Sequence, residues 1–207
     1  MHTGKSTPPP PSGSPAGRGA LKLAAALDAF GIDVRGLSCA DFGASVGGFT
    51  GCLLQRGAAR VYALDTGRGQ LAWTLRKDPR VVVRERTNVL HCPAPQGVDL
   101  VVIDLGWTPQ RLSVPAALRW LRPGGRVVSL VKPHYELAQV LGRRPERNLS
   151  PAEAREVLRK VRSQLAPQGA AVLAEMTSPL AGKGGNQEFF LLIAPCAAPP
   201  GCGEKPR

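Results

Sequence analysis

Short apolar runs of strand character alternate along this chain with segments of helical periodicity, and that alternation limits its possible folds more than any other feature. Strands are read at residues 37–42, 60–65, 81–83, 98–104, 126–132, 170–177 and 188–194. Helices are predicted between them at 19–30, about 47–56, 69–77, 109–121, and from 151 to about 166. Leu23, Leu27 and Phe30 share one face of the first helix, with Gly31 as its stop, and Ser150-Pro-Ala-Glu153 is a capping box with proline at the first helical position. Strands this apolar are covered on both faces, which predicts a doubly wound α/β sheet, mostly parallel, with an antiparallel last strand.

Open sheets of this kind bind ligands beyond the carboxyl ends of their strands. The first such end runs into Asp41-Phe-Gly43-Ala44-Ser45-Val-Gly47-Gly48-Phe49. The second glycine of this turn follows four residues after the first, so it is not G-x-G-x-x-G and a dinucleotide site is disfavoured. Glycines here let a ligand approach the backbone, and the helix that follows offers free N–H groups to a carboxylate. Asp65, closing the next strand, is suited to accept hydrogen bonds from ribose hydroxyls. A glycine-rich turn by itself requires no ligand. Asp41, Asp65 and the later turn at 121–125, in register, favour a nucleoside with an amino-acid tail: S-adenosylmethionine.

Four charged side chains fall near the same rim. Asp104 ends the apolar strand Leu-Val-Val-Ile, and Lys132 ends another and is stopped by Pro133. Glu188 opens the last strand, and Lys22 lies on the first helix beside a stripe of small residues, Ala26 and Ala29. Singly, each has a plain structural reading: a turn former, a strand-end charge, a strand start, a solvated lysine. Burying any of them is costly unless it is paired.

Arg18-Gly-Ala-Leu-Lys-Leu23, Asp41 through Thr50, Cys52-Leu-Leu-Gln-Arg-Gly-Ala58, Val61-Tyr-Ala-Leu-Asp65 and Gly69-Gln-Leu-Ala-Trp73 form an ordered series. It continues with Glu85-Arg-Thr-Asn88, Val102-Ile-Asp104, Leu130-Val-Lys-Pro133, Ser178-Pro179 and Gly185-Asn-Gln-Glu-Phe189. Across residues 18–194 the chain thereby resembles the TlyA-type ribosomal RNA 2′-O-methyltransferases of the FtsJ-like superfamily. The resemblance implies a Rossmann-like methyltransferase domain, S-adenosylmethionine as cofactor and RNA, most specifically ribosomal RNA or a ribosomal subunit, as partner. It implies a catalytic tetrad at Lys22, Asp104, Lys132 and Glu188. Cofactor contacts are expected from Asp41, Gly43, Ala44, Ser45, Gly47, Gly48, Phe49, Asp65, Asn88 and Asp104, and no metal. A catalytically weak RNA-binding or ribosome-assembly module of the same fold, or a methyltransferase on another substrate, is the alternative. Where members of the family usually carry an N-terminal S4-type domain, residues 1–17 read as a proline-rich tail. After Lys132, its Pro-Gln-Phe-Glu reads Pro133-His-Tyr-Glu136, followed by a basic stretch with Arg143, Arg144 and Arg147. After Asp104, its Ser-Phe region reads Leu105-Gly-Trp107.

In the expected mechanism Lys132, acted on by burial and by cationic Lys22, orients the 2′-hydroxyl and takes its proton. Trp107 and Tyr135 are read as packing beneath the rim, with base stacking as the sharper alternative. The helix face Arg155, Arg159, Arg162 and the cluster Arg76, Lys77, Arg80, Arg84, Arg86 are solvated or meet phosphate. Composition agrees with an anionic partner: the formal net charge is +12, nearly all of it on residues 18–194. Residues 1–17 and 195–207 read as disordered tails. Five cysteines without a C-x-x-C pair, no apolar run of membrane length and no secretory leader predict a soluble cytoplasmic protein.

Overall fold

The computed structural model describes residues 17–94, 97–141, 145 and 147–196. Apart from Gly17, Pro195 and Cys196, the expected tails lie outside the described residues, as do Arg143 and Arg144. Seven strands form one sheet: β1 (Ser38–Phe42), β2 (Arg60–Leu64), β3 (Val81–Arg84), β4 (Val98–Ile103), β5 (Leu121–Val131), β6 (Ala170–Thr177) and β7 (Phe189–Pro195). Their spatial order is β3-β2-β1-β4-β5-β7-β6. The first five are parallel, and β7 runs antiparallel between β5 and β6. The order reverses between β1 and β4, where a ligand crevice is expected.

The helices are α1 (Arg18–Ala29), α2 (Gly48–Gln55), α3 (Trp73–Arg76), α4 (Gln110–Leu118), α5 (Pro133–Leu141) and α6 (Pro151–Leu165). Alternation along the strands divides the interior in two. Ala40 and Phe42 of β1 join Trp120, Val114, Leu158 and Leu165 on one face, while Cys39 joins Leu23, Leu27, Phe49 and Leu53 on the other. Trp120 is almost wholly buried, meets Phe42 edge-on, and donates its indole N–H to Cys92 O at 3.1 Å. At α6 both halves of the Ser150–Glu153 capping box are formed.

Three elements depart from expectation. The helix read at 69–77 is only α3, because residues 66–72 form a loop in which Gly69 N–H donates to Glu85 at 2.8 Å. The helix read to 121 stops at Leu118, since Leu121 already pairs with Val98. The next matched pair is Leu100 with Arg126, so the turn at 122–125 is an extrusion within β5. Helix α5 was not foreseen: Pro133 ends β5 but also occupies a first-turn position, where its missing N–H costs nothing.

Candidate active site

The glycine-rich turn leaves β1 with strand-like bonds: Gly43 and Ala44 N–H both donate to Leu64 O, at 2.9 and 3.0 Å. Gly43 has φ +95°, and a Cβ there would lie 2.7 Å from Asp104 O, so the turn and the end of β4 touch through bare backbone. Ser45 holds φ +48°, uncommon for a side-chain-bearing residue. Its N–H donates to Asp65 Oδ2 at 2.8 Å, and its hydroxyl to Gln70 Oε1 at 3.3 Å. Asp65 also accepts Gly67 N–H at 2.7 Å, so it builds the loop while keeping a second lone pair on each oxygen. Gly47 (φ +100°) leads into α2, whose start has no side-chain cap.

These residues wall a cleft of about 530 Å³ lined by Gly43, Ser45, Asp65, Gln70, Asn88, Asp104 and the 105–108 loop. Of the remaining expected cofactor residues, Ala44 and Phe49 are buried in the apolar core, Phe49 with its ring centroid 6.2 Å from that of Phe190. Asp41 is fully buried; Oδ2 accepts the Thr50 hydroxyl at 2.7 Å, and Oδ1 has no hydrogen-bond partner among the described residues. Burial pushes its carboxyl up to about 7; Thr50 pulls against that, and Asp104 and Asp65 add to it. Gln70, Thr50 and Thr87 were not singled out from sequence. All three lie inside segments of the ordered series, at 41–50, 69–73 and 85–88, which gave them no individual role.

The four rim charges form two ion pairs. Lys132 Nζ is paired with Asp104 Oδ1, and Lys22 Nζ donates to Glu188 Oε2 at 2.6 Å. Val131 lies opposite Phe189, so Lys132 and Glu188 are the next residues beyond the β5–β7 register. Both members of the Lys22–Glu188 pair are buried, where charges persist only with a partner. Lys22 was expected to act directly on Lys132; its ammonium is instead engaged by Glu188. Of the expected stripe of small residues, Ala26 is fully buried in the core and Ala29 is exposed. The approach is made at Gly19: a Cβ on Gly48 would lie 3.2 Å from Gly19 Cα. A Cβ on Gly182 would collide with Glu188, so that glycine leaves room for the carboxylate.

Trp107 is half exposed, not packed beneath the rim, and its ring lies 4.8 Å from Tyr135. Much of the arginine surface is engaged by acids. Arg159 is held by Glu156, Arg162 by Glu175, Arg76 by Glu85 and Arg80 by Asp78. Lys77 lies over Trp73 at 4.7 Å and Arg84 over Tyr62 at 6.0 Å. Among the described residues, no group of three or more His, Cys, Asp or Glu could hold a metal, and no helix is long and apolar enough to cross a membrane.

Comparison with known proteins agrees with this geometry. A family model described as FtsJ-like methyltransferase matches residues 16–194. The chain is 47% identical over 182 residues to the 16S/23S rRNA (cytidine-2′-O)-methyltransferase TlyA of Mycobacterium tuberculosis, covering 85% of this chain and 67% of that one. It thus spans about two thirds of that relative's length. Among solved structures, a candidate hemolysin from Streptococcus thermophilus superposes with a TM-score of 0.79 at 34% identity, over 88% of this chain and 67% of the other. A second, from Lactococcus lactis, gives 0.77 at 34%, over 85% and 86%.

Proposed function

The chain belongs to the FtsJ-like methyltransferase family, and on that premise we propose that it transfers a methyl group from S-adenosylmethionine to a ribose 2′-hydroxyl of ribosomal RNA. The observation that carries this reading is the pair of ion pairs, Lys132–Asp104 and Lys22–Glu188, set side by side where β5 and β7 meet and next to the glycine-rich cleft. The name of the mycobacterial relative narrows the target to a cytidine ribose. Such a substrate places the protein's work on ribosomes in the cytoplasm.

The cleft fits the cofactor in size and in donor set. Its volume is within the range that encloses a small ligand. Asp41 Oδ1 is an orphaned acceptor beneath the turn, the chemistry that suits a bound ammonium. Gly43, Ser45 and the uncapped start of α2 would hold the amino-acid end, and Asp65 and Asn88 the nucleoside. When bound, the cofactor supplies a methyl group already activated on a sulfonium, so placement accounts for much of the rate. Lys132 is suited to orient the 2′-hydroxyl and, as the neutral amine, to accept its proton, becoming the ammonium that Asp104 pairs with. Lys22 and Glu188 position the ribose and its phosphate.

The test is tritium transfer from labelled cofactor into ribosomal RNA. Lys132→Ala is expected to lose roughly 100-fold or more of the rate while retaining cofactor affinity. Wild-type turnover by a folded, cofactor-binding Lys132→Ala protein would sink the mechanism, and absence of transfer by the unmodified chain to any ribosomal particle would sink the substrate.

A further inference from the structure

One buried acid near the rim is used neither by the cleft nor by the two ion pairs. Glu136, in the first turn of α5, is 9% exposed and accepts the N–H of Gln110, the first residue of α4, at 2.9 Å. Gln110 also reaches β5: its amide donates to Leu130 O at 3.2 Å and its carbonyl oxygen accepts the Ser129 hydroxyl at 2.6 Å. Glu136 N–H donates to Lys132 O at 3.2 Å, and Tyr135 N–H to the same carbonyl at 2.9 Å. One turn on, Gln139 donates to Trp107 O at 3.0 Å. The loop 105–109, which begins at Asp104 and carries Trp107, is therefore fastened to the helix that begins just after Lys132.

We propose that Glu136 is a positioning residue of the methyl-transfer site: its carboxylate, through the Gln110 N–H, holds the 105–109 loop and so fixes Trp107 and Asp104 against Lys132. This rests on the function proposed above and goes beyond it by naming a residue that touches neither substrate nor cofactor. An ionised acceptor at a helix N-terminus binds more strongly than a neutral one, so the hold is tightest when Glu136 is charged. Burial pushes its carboxyl up to about 7, with the Gln110 bond and Arg111 pulling it down. Among the described residues, Arg111 on α4 acts on it and Lys132, just beyond β5, lines the same pocket. On α6, packed against α5, Glu153 and Glu156 are taken up by Arg147 and Arg159. His134 precedes Tyr135, with ring centroids 4.1 Å apart, and Asp41, pushed up to about 7 by burial, feels Asp104, so both are rival sources of a pH response.

The experiment follows the indole N–H signal of Trp107 by NMR from pH 5.5 to 8.5, assigned by its loss in Trp107→Phe. In the unmodified protein the signal is expected to shift with a midpoint near 7, and in Glu136→Gln, which keeps an acceptor but no charge, the step is lost. A step that persists in Glu136→Gln comes from another group, such as His134 or Asp41, and overturns the proposal. This arm needs no RNA, so it decides the point even if methyl transfer to ribosomal RNA fails. Where transfer is seen, Glu136→Ala is expected to lower kcat about tenfold with cofactor KM unchanged and Glu136→Gln to recover most of it at pH 8, since small displacements of positioned groups carry costs of this order or larger. Unaltered kcat in a folded Glu136→Ala protein overturns the proposal as well.

Discussion

Asp41 is proposed to serve binding, and its burial comes at the expense of stability. Its carboxyl is raised above its unfolded value, so between about 4 and 7 the folded protein binds more protons than the unfolded chain, and the stability tied to this group falls as pH rises through that window. Asp41→Asn removes the dependence. Thermal unfolding is expected to show the variant at least as stable as the parent at pH 8, with the advantage shrinking toward pH 5. Calorimetric titration should show S-adenosylmethionine affinity about tenfold lower or worse, a loss near 1.4 kcal/mol. A variant that binds normally would remove Asp41 from the cofactor site. Asp41 could be read from its place before the glycines, whereas its partner Thr50 and its orphaned oxygen could not. The Lys22–Glu188 pair joins residues 166 apart, and no spacing rule links them; resemblance placed both in one tetrad, and the structure alone brings them into contact.

At the level of elements, α1 precedes the first strand; Leu23, Ala26 and Leu27 join the core beside Cys39 of β1, and its backbone meets α2 at the Gly19–Gly48 approach. Enlarging Gly48 to valine is expected to push α1 off α2, lower stability by about 1–3 kcal/mol and loosen Lys22 from Glu188. Denaturant melts together with the methyl-transfer assay check both effects, and activity is expected to fall further than stability alone explains. The strands were legible because their apolar runs are continuous and bounded by Gly, Pro or charge. The missed helix α5 follows from reading Pro133 only as a terminator, although proline both stops a strand and starts a helix. The true extent of β5 was hidden by its Arg122-Pro-Gly-Gly125 extrusion, where Gly124 takes φ +82°.

For the whole molecule, the charge of +12 is the surplus left after every acid is counted. Arg56, Arg76, Arg80, Arg122, Arg159 and Arg162 each sit on a carboxylate of the same chain, so RNA binding falls to the other Lys and Arg side chains. That binding is expected to weaken with salt. About four contacts would weaken affinity roughly 50-fold between about 50 and 200 mM salt, and filter binding across that range reads the slope directly. Affinity indifferent to salt would contradict a phosphate-led surface. The topology has one more effect, in time. Because β7 threads between β5 and β6, Glu188 reaches Lys22 only after the C-terminal pair of strands has docked. At translation rates of about 5–20 residues per second, the 166 residues between them take on the order of 8–33 seconds to emerge. For the last 56 of those residues, roughly 3–11 seconds, the nascent chain has its glycine-rich turn and Lys132 but not Glu188, so on the proposed mechanism methyl transfer waits until the last strand is home.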